Sequence, residues 1–101
     1  MSEAFPAIQN GVFQVPAVAT IREASRLREA LIEALGRGGR AVVDCSKVEL
    51  ADLSLVQLII AARRAAERDG QELRVIIPSS GVVAEVIRDN GVKSAFDGVL
   101  T

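Results

Sequence analysis

The chain has 101 residues, half of them hydrophobic, with three Phe as its only aromatic residues and with 12 basic residues against 13 acidic ones. That length supplies one modest core and excludes two, so a single domain over 1–101 is expected. Near-balanced charge leaves no field of one sign to hold nucleic acid or an anionic membrane, and without Trp or Tyr there is little on which to stack bases.

Cysteine and histidine usage narrows the chemistry. The lone Cys45 has no internal disulfide partner, which fits a reducing compartment. Histidine is absent, which removes His-dependent triads, His-bearing zinc sites and imidazole pH switching. No basic flank and apolar run mark a signal peptide, and no stretch approaches the length of a membrane span. The expectation is a cytoplasmic protein without membrane insertion.

Ala4 to Pro16 reads as a short hairpin. Asn10-Gly11 is the dipeptide of a tight type I′ turn, Val12 to Val15 form a strand that Pro16 ends, and Pro6 and Pro16 place the hairpin near a sheet edge. Thr20 followed by Glu23 is a capping box that opens a first helix, whose apolar stripe is Ala24, Leu27, Leu31, Ala34 and Leu35. Gly36, Gly38 and Gly39 stop it. These glycines do not form a phosphate loop, since no Gly-Lys-Ser/Thr follows and a strand comes next.

Ala41, Val42 and Val43 make an apolar run ending at Asp44, the pattern of a buried parallel strand. A second helix opens at Leu53 or Ser54 and runs to Asp69-Gly70, with Leu55, Leu58, Ile59, Ala62 and Ala66 facing inward. Leu73, Val75, Ile76 and Ile77 form the next strand. A third helix starts around Pro78-Ser79-Ser80, turns Val82, Val83, Val86 and Ile87 inward and closes at Asn90-Gly91. Helices alternating with buried strands predict an α/β fold with a mostly parallel sheet, in which Val42, Val43, Val75 and Ile76 are deeply buried.

The segment Val42-Val43-Asp44-Cys45-Ser46-Lys47-Val48, then Ala51-Asp52-Leu53-Ser54, an Ala-rich helix, Gly70, Leu73-Arg74-Val75 and Gly91-Val92 resembles the STAS family, to which the bacterial anti-sigma-factor antagonists belong. The resemblance implies a mixed, mostly parallel sheet with helices packed mainly on one face. It implies a non-enzymatic, cofactor-free regulatory module that docks onto a protein. In the signalling branch, a partner kinase that is also the anti-sigma factor phosphorylates the Ser directly after a turn Asp. Here Asp52 matches that Asp, but Leu53 occupies the acceptor position and has no hydroxyl. Ser54 matches the second turn residue and is the phosphorylation candidate, while Leu55 sits where the family often has Gly. Other branches are accessory subunits of lipid-transport machinery, tails of anion transporters or chemotaxis-associated proteins. The missing acceptor moves weight toward such constitutive, non-switching uses.

Each of these residues also has a plainer reading. Ser54 with Gln57 is itself a capping box, reason enough for a Ser whether or not it is phosphorylated. Asp52 is a turn former that bonds its own backbone. Asp44 and Asp52 lack a third ligand for a divalent metal, and Cys45 reads as a small core side chain. On a helical wheel, Leu53, Val56 and Ile60 lie away from the inward stripe of the second helix and make an apolar patch bordered by Gln57 and Arg64. The expected partner surface is therefore Asp52, Leu53, Ser54, Val56, Gln57, Ile60 and Arg64.

Overall fold

The computed structural model describes residues 11–36 and 40–96. In chain order the elements are β1 (Val12–Gln14), β2 (Val18–Ala19), a 3-10 turn (Ile21–Glu23), α1 (Ala24–Gly36), β3 (Arg40–Asp44), β4 (Leu50–Ala51), α2 (Leu53–Arg68), β5 (Glu72–Ile76), α3 (Val82–Asp89) and a second 3-10 turn (Lys93–Phe96). The α/β fold read from the sequence is the one observed. Residues 4–10 of the expected hairpin lie outside the described residues. Its second strand is β1, an edge strand among the described residues.

The main sheet has the order β1-β3-β5, with β3 in the middle. The expectation was a mixed, mostly parallel sheet; every pairing among the described residues is parallel, and the expected antiparallel hairpin partner lies outside them. β2 and β4 form a separate two-stranded parallel ribbon. It was not read from the sequence, because two residues of strand carry no period.

Helices lie mainly on one face of the sheet, and this corrects the burial expected of the strands. The register stacks Phe13, Val43 and Val75 in one row, flanked by the rows Val12, Val42, Arg74 and Gln14, Asp44, Ile76. Because side chains alternate along a strand, the first row faces the helices and the other two face away. Val43 and Phe13 are accordingly buried, whereas Val42 and Ile76, on the far side, are only half-buried. Val75 shares the inner row but sits on the outer strand β5 and is half-buried too. Ile77, just past β5, is fully buried instead. An apolar run of this kind normally means coverage on both faces; here one face is covered well and the other only in part.

The first helix keeps its predicted stripe, with Leu27, Leu31 and Ala34 buried and Ala24 and Leu35 partly so. Its last turn is tied to the next crossover by Gln71 Nε2, which donates to the Leu35 carbonyl at 2.7 Å. Both later helices end in the same hydrogen-bonded motif. After α2, Gly70 N–H donates to Glu67 O and Gln71 N–H to Ala66 O; after α3, Gly91 N–H donates to Arg88 O and Val92 N–H to Ile87 O. Gly70 and Gly91 hold φ of 70° and 68°, the left-handed conformation this ending requires. α3 begins at Val82, capped by Gly81 without a side-chain bond, slightly later than the Pro78-Ser79-Ser80 start read from sequence.

α2 sits centrally, packed against α1, against β5 and against α3. Leu55, Val56, Ile59, Ala62 and Ala66 are its buried residues, and they join Phe13, Leu27, Val43, Ile77, Val83 and Ile87 in one core cluster. Ile59→Ala removes a nearly fully buried side chain from this cluster and should cost about 2–5 kcal/mol in urea unfolding. Val42→Ala, on the half-covered face, should cost well under that; equal losses would mean the sheet faces are assigned the wrong way round.

Candidate functional site

The start of α2 is organised by one carboxylate. Asp52 is extended (φ −136°, ψ −172°) and is the N-cap of the helix. Its Oδ1 accepts the Ser54 N–H at 3.0 Å, and its Oδ2 accepts the Ile21 N–H at 3.0 Å. Ile21 is the first residue of the 3-10 turn that leads into α1, so Asp52 joins the beginnings of two helices. Thr20 completes the same junction with the predicted capping box. Its hydroxyl accepts the Arg22 N–H at 3.3 Å, while Glu23 Oε1 accepts both the N–H and the hydroxyl of Thr20 at 2.8 Å. Those bonds, the backbone one foremost, hold the Glu23 carboxyl below its usual pKa.

The capping box expected at Ser54 and Gln57 does not form. With Asp52 as N-cap, Ser54 lies inside the first turn and contributes its N–H as the donor that is capped. The half-buried Ser54 makes no side-chain hydrogen bond among the described residues. The cap reading therefore passes from Ser54 to Asp52, which bonds its own backbone two residues on, as a turn-forming Asp does, and reaches the start of the distant 3-10 turn as well.

Around this junction lies an apolar surface different from the one the helical wheel predicted. Val56 is 0% exposed, a correction to the expected patch. The wheel assumed one buried stripe, but α2 is packed on by α3 as well as by α1 and β5, so its buried arc is wider. Ile60 is half-buried and lines a depression with Arg63, Glu67, Leu73 and Ala95, turned toward β5 and the C-terminal 3-10 turn. There the Arg63 guanidinium donates to the Ala95 carbonyl and lies 5.7 Å from the Phe96 ring centroid. Arg64 is exposed but about three turns along the helix from Leu53.

The structure does bring Asp52, half-buried Leu53, Ser54 and exposed Gln57 together, and it adds three residues that sequence reasoning missed. Val18 (45% exposed) and Leu50 (54%) are cross-strand partners in the β2–β4 ribbon, so they share its outer face, while Ala19 is turned inward and buried. Ile21 (65%) is bonded through its N–H to Asp52. The ribbon and the 3-10 turn thus extend the apolar surface sideways from Leu53. The only sequence signal for it is the pair Val18-Ala19 and Leu50-Ala51, whose facing is decided by their pairing.

Nearby polar groups are engaged in holding the loops. Asp44 Oδ1 accepts the Ser46 N–H at 2.9 Å, and its Oδ2 accepts Gln14 Nε2 at 3.3 Å. Cys45 is a buried core side chain, as read from the sequence; burial, aided by the Asp44 charge, pushes its thiol pKa up to about 12.

Asp52→Ala should destabilise the chain by about 1–3 kcal/mol, because two helix starts lose an acceptor together. Asp52→Asn should recover part of that, since one side-chain oxygen remains. A thermal melt showing no loss for Asp52→Ala would remove the junction from the account. The depressed Glu23 pKa stabilises the fold above the carboxyl's unfolded pKa, and that contribution is lost as pH falls through its folded value. The acid limb of stability against pH should therefore be shallower in Glu23→Gln than in the parent.

No curated protein and no solved structure matches the chain. No helix among the described residues is long and apolar enough to cross a membrane. A family model described as "Mlab, STAS domain" matches residues 9–98, a span that takes in every described element and the whole Asp52 junction. Together with the parallel sheet, the helices on one face and the turn Asp at the start of α2, that match places the chain in the STAS domain family.

Proposed function

We propose that the protein is a docking module that binds a protein partner through the apolar surface at the start of α2, made by Leu53, Ile21, Val18 and Leu50 around the Asp52 cap. STAS domains are in general non-catalytic modules of protein interaction and regulation. The observation that carries the reading is the clustering of exposed aliphatic side chains. Of the four large hydrophobic residues that are exposed among the described residues, three belong to the ribbon and turn beside Leu53. A contiguous apolar surface gives the isolated chain little stability and is favourable only when something covers it. Asp52 and the Thr20 box hold that surface rigid, which lowers the ordering cost of association.

Leu53, in the family's acceptor position, favours constitutive docking, as in an accessory subunit of a transporter or chemotaxis assembly. Ser54 supports a second, switched reading, in which an anti-sigma-factor-like kinase is the partner. Its hydroxyl has no capping role, it lies in the first turn of a helix, and a phosphate there is favoured by the helix dipole. A dianion beside Leu53 would act by charging the docking surface.

Leu53→Asp and Ile21→Asp should each abolish capture of the native partner from cells while keeping the melting temperature within a few degrees. A partner covering this surface would have to desolvate the new charge, at a cost of several kcal/mol. Normal capture by both variants would rule out this surface. Ser54→Ala should leave stability unchanged, since no cap is lost. Phosphate incorporation from ATP and the isolated partner, absent in Ser54→Ala, would select the switched reading; no incorporation in the parent chain would select the constitutive one.

A further inference from the structure

Asn90 and Gly91 close α3, and both are exposed. An Asn followed by Gly carries an electrophile and a nucleophile side by side. The Gly91 amide nitrogen, once it has lost its proton, can attack Asn90 Cγ. A bond forms between them, the carboxamide nitrogen leaves as ammonia, and the backbone closes into a succinimide. Water then opens that ring at one carbonyl or the other, leaving Asp or isoaspartate in place of Asn90. Gly91 puts no side chain in the way, and no atom lies within 4 Å of where its Cβ would stand. Exposure and open space alone would make this a fast-reacting pair.

The last turn of α3 withholds both reacting groups. Asn90 Nδ2 donates to the Val86 carbonyl at 2.8 Å, so the carboxamide is turned back along the helix, away from Gly91. The Gly91 N–H donates to the Arg88 carbonyl at 3.3 Å, and the Val92 N–H closes the ending on the Ile87 carbonyl at 3.3 Å. An apolar clasp accompanies these bonds, since Val92 is half-buried and packs against the core cluster that contains Ile87. Attack on Asn90 Cγ therefore requires this turn to open first, a local event that leaves the rest of the fold in place.

We infer that Asn90 is a deamidation site gated by the last turn of α3, and that the reaction, once made, loosens the turn that held it back. An Asp in place of Asn90 has no N–H to give the Val86 carbonyl, and its charge stands at the negative end of the helix dipole. Isoaspartate adds a carbon to the backbone ahead of Gly91. That carbon falls inside both hydrogen-bonded loops of the ending, so neither keeps its spacing. The site is independent of the docking surface at the start of α2.

The test incubates the intact chain at mildly alkaline pH, in native buffer and in urea, and follows it by mass-spectrometric peptide mapping. Mapping separates Asn90 from Asn10, the other Asn that Gly follows. Ammonia loss at Asn90 should be at least about tenfold slower in the folded chain than in urea. Val92→Ala, which weakens the apolar clasp, should speed the folded reaction several-fold and leave the urea rate unchanged. Asn90→Gln should stop ammonia loss at that position on the same time scale, because its longer side chain closes a ring far more slowly. Asn90→Asp, one of the two products, should melt below the parent. If Val92→Ala fails to fold by circular dichroism, hydrogen exchange of the Gly91 amide in the parent carries the test, and its protection should match the ratio of the two deamidation rates. Equal rates in buffer and urea, no reaction in urea, a folded rate indifferent to Val92→Ala, a Gly91 amide without protection, or an Asn90→Asp chain as stable as the parent would overturn the inference.

Discussion

The Asp52 carboxylate accepts N–H groups from the beginnings of two helices that are far apart in sequence. Helix starts carry unsatisfied donors and a partial positive charge, so one carboxylate between two of them answers both needs at once. The position of α1's entry relative to that of α2 follows from this bond, and with it the placement of the β2–β4 ribbon, which leads into both. The aliphatic surface at Leu53, Ile21, Val18 and Leu50 is therefore rigid by construction. Thr20 and Glu23 reinforce the same corner from the other side.

One-sided packing of the sheet explains much of the remainder. β3 lies between β1 and β5, and the inner faces of the strands meet α1 and α2. α2 is enclosed on several flanks, which is why its buried arc includes Val56 and why its freely exposed apolar surface is confined to its beginning and to the groove beside α1. The two regions differ in chemistry. The helix start is aliphatic around a capped junction whose carboxylate is already engaged. The groove is aliphatic, with Arg28 as its one charged lining residue.

Capping and function are also separated by the structure. In the sequence, Ser54 has two competing explanations, a helix cap and a modification site. Asp52 takes the cap, so Ser54 keeps its hydroxyl without a structural role among the described residues, while Leu53 fills the position where the family's signalling members carry their acceptor.

Much was legible in the sequence because it depended on near neighbours. The Thr20–Glu23 box, the α1 stripe, the glycine endings after α2 and α3, and the alternation of helices with apolar strands all arise from residues a few positions apart, whose geometry is set by backbone and local hydrogen bonding. The residue pattern around Asp44, Asp52 and Gly70 carried the family. Tertiary structure alone decided what depended on distant partners. Whether Asp52 or Ser54 capped α2 turned on an extended backbone at Asp52 and on the N–H of Ile21, thirty-one positions away. Whether Val56 was exposed turned on how many elements pack around α2, which α1, β5 and α3 all do. Which of Val42, Val43, Val75 and Ile76 was deeply buried turned on register and on which face the helices covered. The outward facing of Val18 and Leu50 turned on their pairing with each other, since two-residue strands have no period from which a face can be read.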